Sequence, residues 1–269
     1  MDNIELWNGD CLDLMKNIPD SSIDLTVTSP PYDNLRTYNG NISQWSFEKF
    51  QEIARELYRV TAIGGVVVWI VGDATVKGSE TGTSFKQALW FKEIGFNLHD
   101  TMIYQKQNYM PLTHNRYEQE FEYMFVFSKG KPKTFNPIMT PCKYAGTPHW
   151  GNVTYHKTSD SGLVDCGNKK VNDFKQHGNI FCYLVGKVKS EKGIKHPAPF
   201  PEQLANDHII SWSNEGDTIF DPFMGSGTTG KMAVLNNRKF IGIELDDIYF
   251  EIAKERINKA NYIQGGDTN

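Results

Sequence analysis

Two consecutive prolines, Pro30 and Pro31, follow the run Ile23-Asp24-Leu25-Thr26-Val27 and constrain this chain more than any other feature. The alternation and β-branched residues of that run predict a strand. Neither proline has an N–H to donate to a neighbouring strand, so the chain must leave the sheet at Pro30. Each ring fixes φ, and Pro30 is restricted again because it precedes Pro31. Thr28-Ser29-Pro30-Pro31-Tyr32 is therefore a stiff hook at a strand end, carrying the Ser29 hydroxyl, carbonyls of limited freedom and the Tyr32 ring. Two readings fit it. One is a proline-rich strand exit whose tyrosine packs on the core; the other is a hook that holds a flat group bearing an amine.

The surrounding pattern predicts what the hook leaves. Ser46 is a candidate N-cap for a helix with Phe47, Phe50, Ala54, Leu57 and Tyr58 on one side, which Gly64-Gly65 would stop. Val66 to Val71 is continuously apolar, as a strand covered on both faces reads, and it ends at Gly72-Asp73. Further helices are predicted from Ser84 to Ile94, around Leu204 to Trp212, from Thr228 to Asn236 and from Ile248 onward. Strands are predicted at 100–105, 120–128, 217–220 and 240–244. Strands alternating with helices predict an α/β fold built on a doubly wound, mostly parallel sheet.

A second motif lies near the far end. Gly225-Ser226-Gly227-Thr228-Thr229-Gly230 follows a strand and opens a helix, and Glu244 ends the next strand. A tight glycine turn lets a ligand approach backbone closely, and the acid can accept hydrogen bonds from ribose hydroxyls. Alone, the motif suits NAD or FAD as well as S-adenosyl-L-methionine (AdoMet). Two features argue against a dinucleotide. Only 25 residues follow Glu244, and Asp221-Pro222-Phe223 puts a carboxylate where a pyrophosphate would meet like charge. A carboxylate suits a cationic ligand such as a sulfonium or an α-amino group.

Charge is unevenly spread. The chain carries a net charge of −4, yet residues 129–195 hold twelve lysines against four acidic residues. That segment mixes Gly, Pro, Asn, Lys and aromatics without clear period and predicts an ordered insert of irregular or β structure. Its charge fits either a polyanion partner or a solvated lysine-rich surface. The cysteines Cys11, Cys142, Cys166 and Cys182 are widely spaced, which predicts reduced thiols. Spacing of His149, His156, Cys166, His177 and Cys182 matches no zinc pattern, so no metal is expected. No apolar run reaches the roughly 20 residues that span a bilayer. The acidic start Met1-Asp2-Asn3-Ile4-Glu5 has no signal-peptide pattern, and a cytoplasmic protein is the expectation.

Thr28-Ser29-Pro30-Pro31-Tyr32, then His196-Pro197-Ala198-Pro199-Phe200-Pro201, then Asp221-Pro222-Phe223-Met224-Gly225-Ser226-Gly227-Thr228-Thr229 resemble, in that order, the β class of DNA amino-methyltransferases. The likeness covers nearly the whole chain. It implies a Rossmann-like methyltransferase sheet, circularly permuted, with a target-recognition insert. The halves would be 1–128 (catalytic) and 196–269 (AdoMet-binding), around an insert at 129–195. It implies AdoMet as cofactor, double-stranded DNA as partner and transfer of a methyl to the exocyclic amine of a flipped base. Ser29 in the first motif position favours N4 of cytosine, with N6 of adenine as the alternative. A dinucleotide-dependent oxidoreductase is the remote one.

The same resemblance assigns roles. Ser29, Pro30, Pro31 and Tyr32 would hold and stack the base. Independently of the resemblance, Asp73 ends the strand expected beside the catalytic one and reads either as a further acceptor or proton sink for the amine or as a loop-capping aspartate. Asp221, Phe223, Gly225, Gly227 and Thr228 would take the methionine side of the cofactor and Glu244 the ribose. Asp10 and Cys11 would lie near the adenine edge, although a turn aspartate also explains Asp10. His196 and Phe200 fall in the family's other cofactor motif. Lys143, Lys157, Lys169, Lys170 and Lys175 are candidates for phosphate contact, with Asn115 and Arg116 also placed to face DNA. The resemblance is compatible with a monomer or a homodimer, and with a cognate restriction endonuclease in the same system without direct contact.

Overall fold

A computed structural model describes residues 3–31, 45–108, 115–147, 154–156, 163–165, 170–184 and 201–266. The elements of the first half are β1 (Ile4–Asn8), α1 (Cys11–Leu14) with a 3-10 turn at Met15–Asn17, β2 (Ile23–Thr28), α2 (Phe47–Val60), β3 (Thr61–Val71), β4 (Thr75–Val76), β5 (Ser79–Glu80), α3 (Thr83–Glu93), β6 (Asn97–Lys106) and β7 (Phe121–Ser128). There follow β8 (Met139–Pro141), β9 (Thr154–His156), β10 (Leu163–Asp165), β11 (Phe174–Gln176), β12 (Ile180–Tyr183), α4 (Glu202–Trp212), β13 (Thr218–Asp221), α5 (Thr228–Leu235), β14 (Lys239–Glu244) and α6 (Asp247–Gly266).

Eight strands form one sheet in the order β1-β14-β13-β2-β3-β7-β6-β12. Among its described strands only β7 runs antiparallel to its neighbours; the other pairings are parallel. Both faces are covered, which is why β3 reads as unbroken apolar sequence. Val66, Val68 and Ile70 pack with Leu204, Ile209, Ala233, Val234, Ala253 and Ile257 from α4, α5 and α6. Val67, Trp69 and Val71 face the other way, against Phe50, Ile53, Ala54, Leu57 and Phe91 from α2 and α3. Trp69 is fully buried and its indole N–H donates to Gln87 Oε1 at 2.8 Å. Each fully buried large apolar side chain contributes about 1.5–3 kcal/mol.

The α2 helix follows its predicted spacing, with Phe50, Ile53, Ala54, Leu57 and Val60 buried and the Ser46 hydroxyl accepting from Lys49 N. Its end differs from expectation. The helix stops at Val60, where the Thr61 hydroxyl donates to Leu57 O at 2.6 Å, and the chain enters β3 at once. Gly64-Gly65 lies inside the strand, where the pairing with β2 jumps from Ile23↔Thr61 to Leu25↔Val66. Gly64 has φ +77, and a Cβ on Gly65 would sit 2.9 Å from Ala62 O. The glycines make an irregularity in a strand rather than a helix stop.

The chain divides into two compact units, residues 1–136 with 179–269, and residues 137–178. The second contains two antiparallel ladders, β8 with β11 and β9 with β10. Residues 180–183, inside the expected insert, form β12 on the edge of the main sheet beside β6.

Candidate active site

The sheet changes direction of winding between β13 and β2. From β2 the chain crosses through α2 to β3 along one face, and from β13 through α5 to β14 along the other. The two strands pair in parallel, Ile219 opposite Leu25 and Phe220 opposite Thr26. Their carboxyl ends therefore open on one crevice, the position where open α/β sheets bind ligands. On one side of it Thr28 ends β2, Ser29 and Pro31 are half-buried and Pro30 is buried. On the other side Asp221 ends β13 and leads into the glycine turn.

Asp221 is turned into the protein. Its Oδ1 accepts from the Thr28 hydroxyl at 2.6 Å and from Phe223 N at 3.1 Å. The Thr229 hydroxyl beside this carboxylate donates to Val27 O at 3.1 Å. Burial pushes the Asp221 carboxyl up to about 7, against the lowering effect of these donors. Sequence reasoning aimed this group at a cationic ligand; the structure surrounds it with the chain's own donors because it sits between two central strands.

Gly225 and Gly227 both adopt left-handed backbone, φ +54 and +79, and Gly227 caps α5. A Cβ on Gly227 would lie 3.0 Å from Ala253, so the turn packs directly on α6. Glu244, at the end of β14, accepts from Gly225 N with Oε2 at 2.7 Å and from Asp246 N with Oε1 at 2.9 Å. Burial raises its pKa. A carboxylate oxygen can accept a second hydrogen bond, so Glu244 keeps acceptor capacity for hydroxyls. Phe223 stands edge-on to Trp45 at 5.6 Å and to Trp69 at 6.2 Å.

The turn after β1 joins the same region, because Gly9 N donates to Glu244 O at 2.9 Å. Asp10 caps α1 through Leu12 N at 2.9 Å and pairs with Lys49 Nζ at 2.6 Å. Partial burial opposes ionisation, but Lys49 and the Leu12 N–H hold the carboxyl below its usual range. Cys11 is buried, and desolvation with the Asp10 charge pushes its thiol up to about 12. A buried thiol held protonated in this way is a poor nucleophile.

Asp73 accepts from Ser84 N at 2.9 Å and from the Thr81 hydroxyl at 3.2 Å with Oδ1, while Oδ2 takes the Ser84 hydroxyl. This is the geometry of a carboxylate that caps the first turn of α3. Arg116 donates to Gly78 O in the β4–β5 turn and lies 3.7 Å from Glu80. Tyr32, His196 and Phe200 lie outside the described residues, as do Lys157 and Lys169. Sequence reasoning did not pick out Trp45, Lys49, Thr28 and Thr229 as site residues. Only Thr28 had a signal, a hydroxyl where the strand pattern calls for burial on both faces. Among the described residues no cluster of His, Cys, Asp and Glu could hold a metal, and no helix is long and apolar enough to cross a membrane.

The residues present fit AdoMet: a glycine turn with left-handed backbone, an acid at the next strand end, an aromatic ring beside it and a second acid at the β1 turn. Fold and site together define a Rossmann-like methyltransferase. A family model described as DNA methylase matches residues 23–255. The orphan methyltransferase M.BamHII of Bacillus amyloliquefaciens is 55% identical over 93% of each chain. The type II methyltransferase M.BglII of Bacillus subtilis is 26% identical over 93% of this chain and 67% of its own. The solved structure of PvuII DNA methyltransferase (cytosine-N4-specific) superposes with a TM-score of 0.70 at 21% identity, covering 99% of this chain and 94% of that one. The M1.HpyAVI–SAM complex does so at 0.62 and 24% identity, covering 95% and 100%. The chain belongs to the DNA methylase family of N6 and N4 methyltransferases, whose methyl donor is AdoMet.

Proposed function

We propose that this chain transfers a methyl group to the exocyclic amine of a base flipped out of double-stranded DNA, N4 of cytosine in preference to N6 of adenine. The observation that carries the reading is the parallel pairing of β13 with β2, which opens the glycine turn and the Ser29 hook on one edge of the sheet. When bound, AdoMet supplies a methyl carbon made electrophilic by its sulfonium. The amine is a poor nucleophile because its lone pair is conjugated with the ring. Ser29 Oγ and the Pro30 carbonyl act as acceptors for its N–H groups and favour a pyramidal nitrogen with a usable lone pair. The two prolines preorganise those acceptors, so little rearrangement accompanies reaction. Tyr32 stacks on the extruded base, a contact worth about 1–3 kcal/mol in single-strand systems. The base must be extruded because its amine is otherwise paired.

Asp10, Cys11, His196, Phe200, Asp221, Phe223, Gly225, Gly227, Thr228 and Glu244 make up the cofactor side in this reading, with Glu244 toward the ribose. Asp73 serves by holding the turn between β3 and α3, consistent with its bonds to Ser84 and Thr81. The preference for cytosine rests on Ser29 in the first motif position. The 55% identical relative is called an orphan methyltransferase, which favours a solitary enzyme over one half of a restriction pair. Incubation with labelled AdoMet and mixed duplex DNA, digestion to nucleosides and mass identification tests the whole reading. N4-methylcytosine is the expected product. N6-methyladenine would correct the base, and methyl on neither amine would refute the reading.

A further inference from the structure

We propose that Thr28 and Asp221 are a positioning pair that sets the distance between methyl donor and acceptor; the inference rests on the amine-methylation reading above. Thr28 is the last residue of β2 and directly precedes Ser29, while Asp221 is the last residue of β13 and directly precedes the approach to the glycine turn. The paired register of the two strands ends at Phe220↔Thr26. Beyond it no ladder joins β13 to β2, although Thr28 still pairs with Trp69 on β3 and Asp221 with Gly242 on β14, and the 2.6 Å bond from the Thr28 hydroxyl to Asp221 Oδ1 joins the two strand ends directly. This tie sits where the two chains part toward their separate tasks, 193 residues distant in sequence. Both residues are essentially excluded from water, Thr28 at 0% and Asp221 at 1% exposure.

The remaining contacts of the carboxylate serve the same end. Phe223 N donates to the carboxylate and fixes the segment leading into Gly225, and the Thr229 hydroxyl donates at 3.1 Å to Val27 O. Asp221 thereby connects β2 with the turn after β13, while Thr229 ties the first turn of α5 to β2. The arrangement explains why the β13 strand end carries a carboxylate whose Oδ1 is taken up by donors from the chain itself. It also explains a threonine at the end of β2, where valine would satisfy the burial pattern equally well. Transfer by in-line attack depends on the separation of amine and methyl, and a displacement of 1 Å can cost roughly 100-fold. A hook that drifts relative to the glycine turn leaves each half able to bind its own ligand while slowing their reaction.

Thr28→Val keeps the shape and strand preference and removes only the hydroxyl. AdoMet affinity by calorimetry and the single-turnover rate from tritiated AdoMet to a random-sequence duplex DNA pool are measured side by side. The expected result is a dissociation constant for AdoMet within about threefold of the parent and a rate lowered roughly 10- to 100-fold. Thr28→Ser, which restores the hydroxyl, should recover most of that loss. If the valine protein does not fold, Thr28→Ala reads the same split between affinity and rate. An unchanged rate in a variant without the hydroxyl overturns the pair. So does a parallel loss of affinity and rate that serine does not repair. A parent protein that puts no label into DNA overturns the reading beneath it, and the pair with it.

Discussion

The Glu244 carboxylate holds the backbone N–H of Gly225 at 2.7 Å, joining the end of β14 to the glycine turn. Its other oxygen accepts from Asp246 N, so one side chain orders both the glycine turn and the turn after β14. Glu244→Ala should therefore weaken AdoMet binding twice over, by removing an acceptor for the ribose and by releasing the turn. Hydrogen bonds to a charged group contribute about 1.5–3 kcal/mol, which corresponds to a loss of roughly 10- to 100-fold in affinity. Calorimetric titration with AdoMet measures it, and Glu244→Gln, which keeps an acceptor oxygen, should fall between.

Ser29→Ala separates binding from chemistry on the opposite side of the crevice. AdoMet affinity should be retained, because the residue follows β2 and not β13. Turnover should fall by about 100-fold or more, the loss typical of a preorganised acceptor or donor at the reacting group. Methyl transfer at parental rate would remove Ser29 from the mechanism.

Gly230 tests packing rather than chemistry. A Cβ there would lie 2.5 Å from both Ile257 Cδ1 and Phe240 Cε1, where α5 meets α6 and the sheet. Gly230→Ala gains up to about 1 kcal/mol of helix propensity. It loses more by overpacking a buried contact, about 1–3 kcal/mol. A lowered midpoint in urea is expected, and a raised one would show that the Ile257 side chain yields without cost.

His208 makes stability depend on acid. It is buried on α4 with Nε2 3.2 Å from Met124 Sδ, and burial lowers its pKa from 6.5 to about 4. The unfolded chain takes up this proton at higher pH than the folded one, so stability falls as pH drops from 6.5 toward 4. The shift corresponds to roughly 3 kcal/mol by about pH 4. Asp221 acts in the opposite sense, since its raised pKa favours the acid form in the folded state and its contribution is lost as pH rises through about 7. Comparing denaturation of the parent and His208→Leu between pH 7 and 4 isolates the histidine, and equal acid loss in both would exclude it.

Lys143, Lys170 and Lys175 are exposed in the basic segment. If they contact phosphates, replacing one by alanine should lower the slope of log affinity against log salt by about 1 and weaken binding to all sequences alike. Fluorescence anisotropy on a mixed duplex between low and moderate salt reads both quantities. An unchanged slope in all three variants would move the DNA contact elsewhere.

Local chemistry was legible in the sequence. Pro30-Pro31 had to end β2, the spacing of Phe50, Ala54 and Leu57 had to make an amphipathic helix, and the glycines of 225–230 had to make a turn against a helix start. Each follows from dihedral limits, donor loss or side-chain period acting over a few residues. Local rules misplaced the Gly64-Gly65 pair, because a glycine pair signals either a helix stop or a strand irregularity, and the partner strand β2 decides between them. Which residues face one another was set by packing between distant segments. It set β13 beside β2, turned Asp221 to Thr28 and Asp73 to Ser84, and placed 180–183 on the sheet edge. The reason is physical. A buried carboxylate takes whichever donors the packing brings to it, and those donors come from strands and turns far apart in the chain.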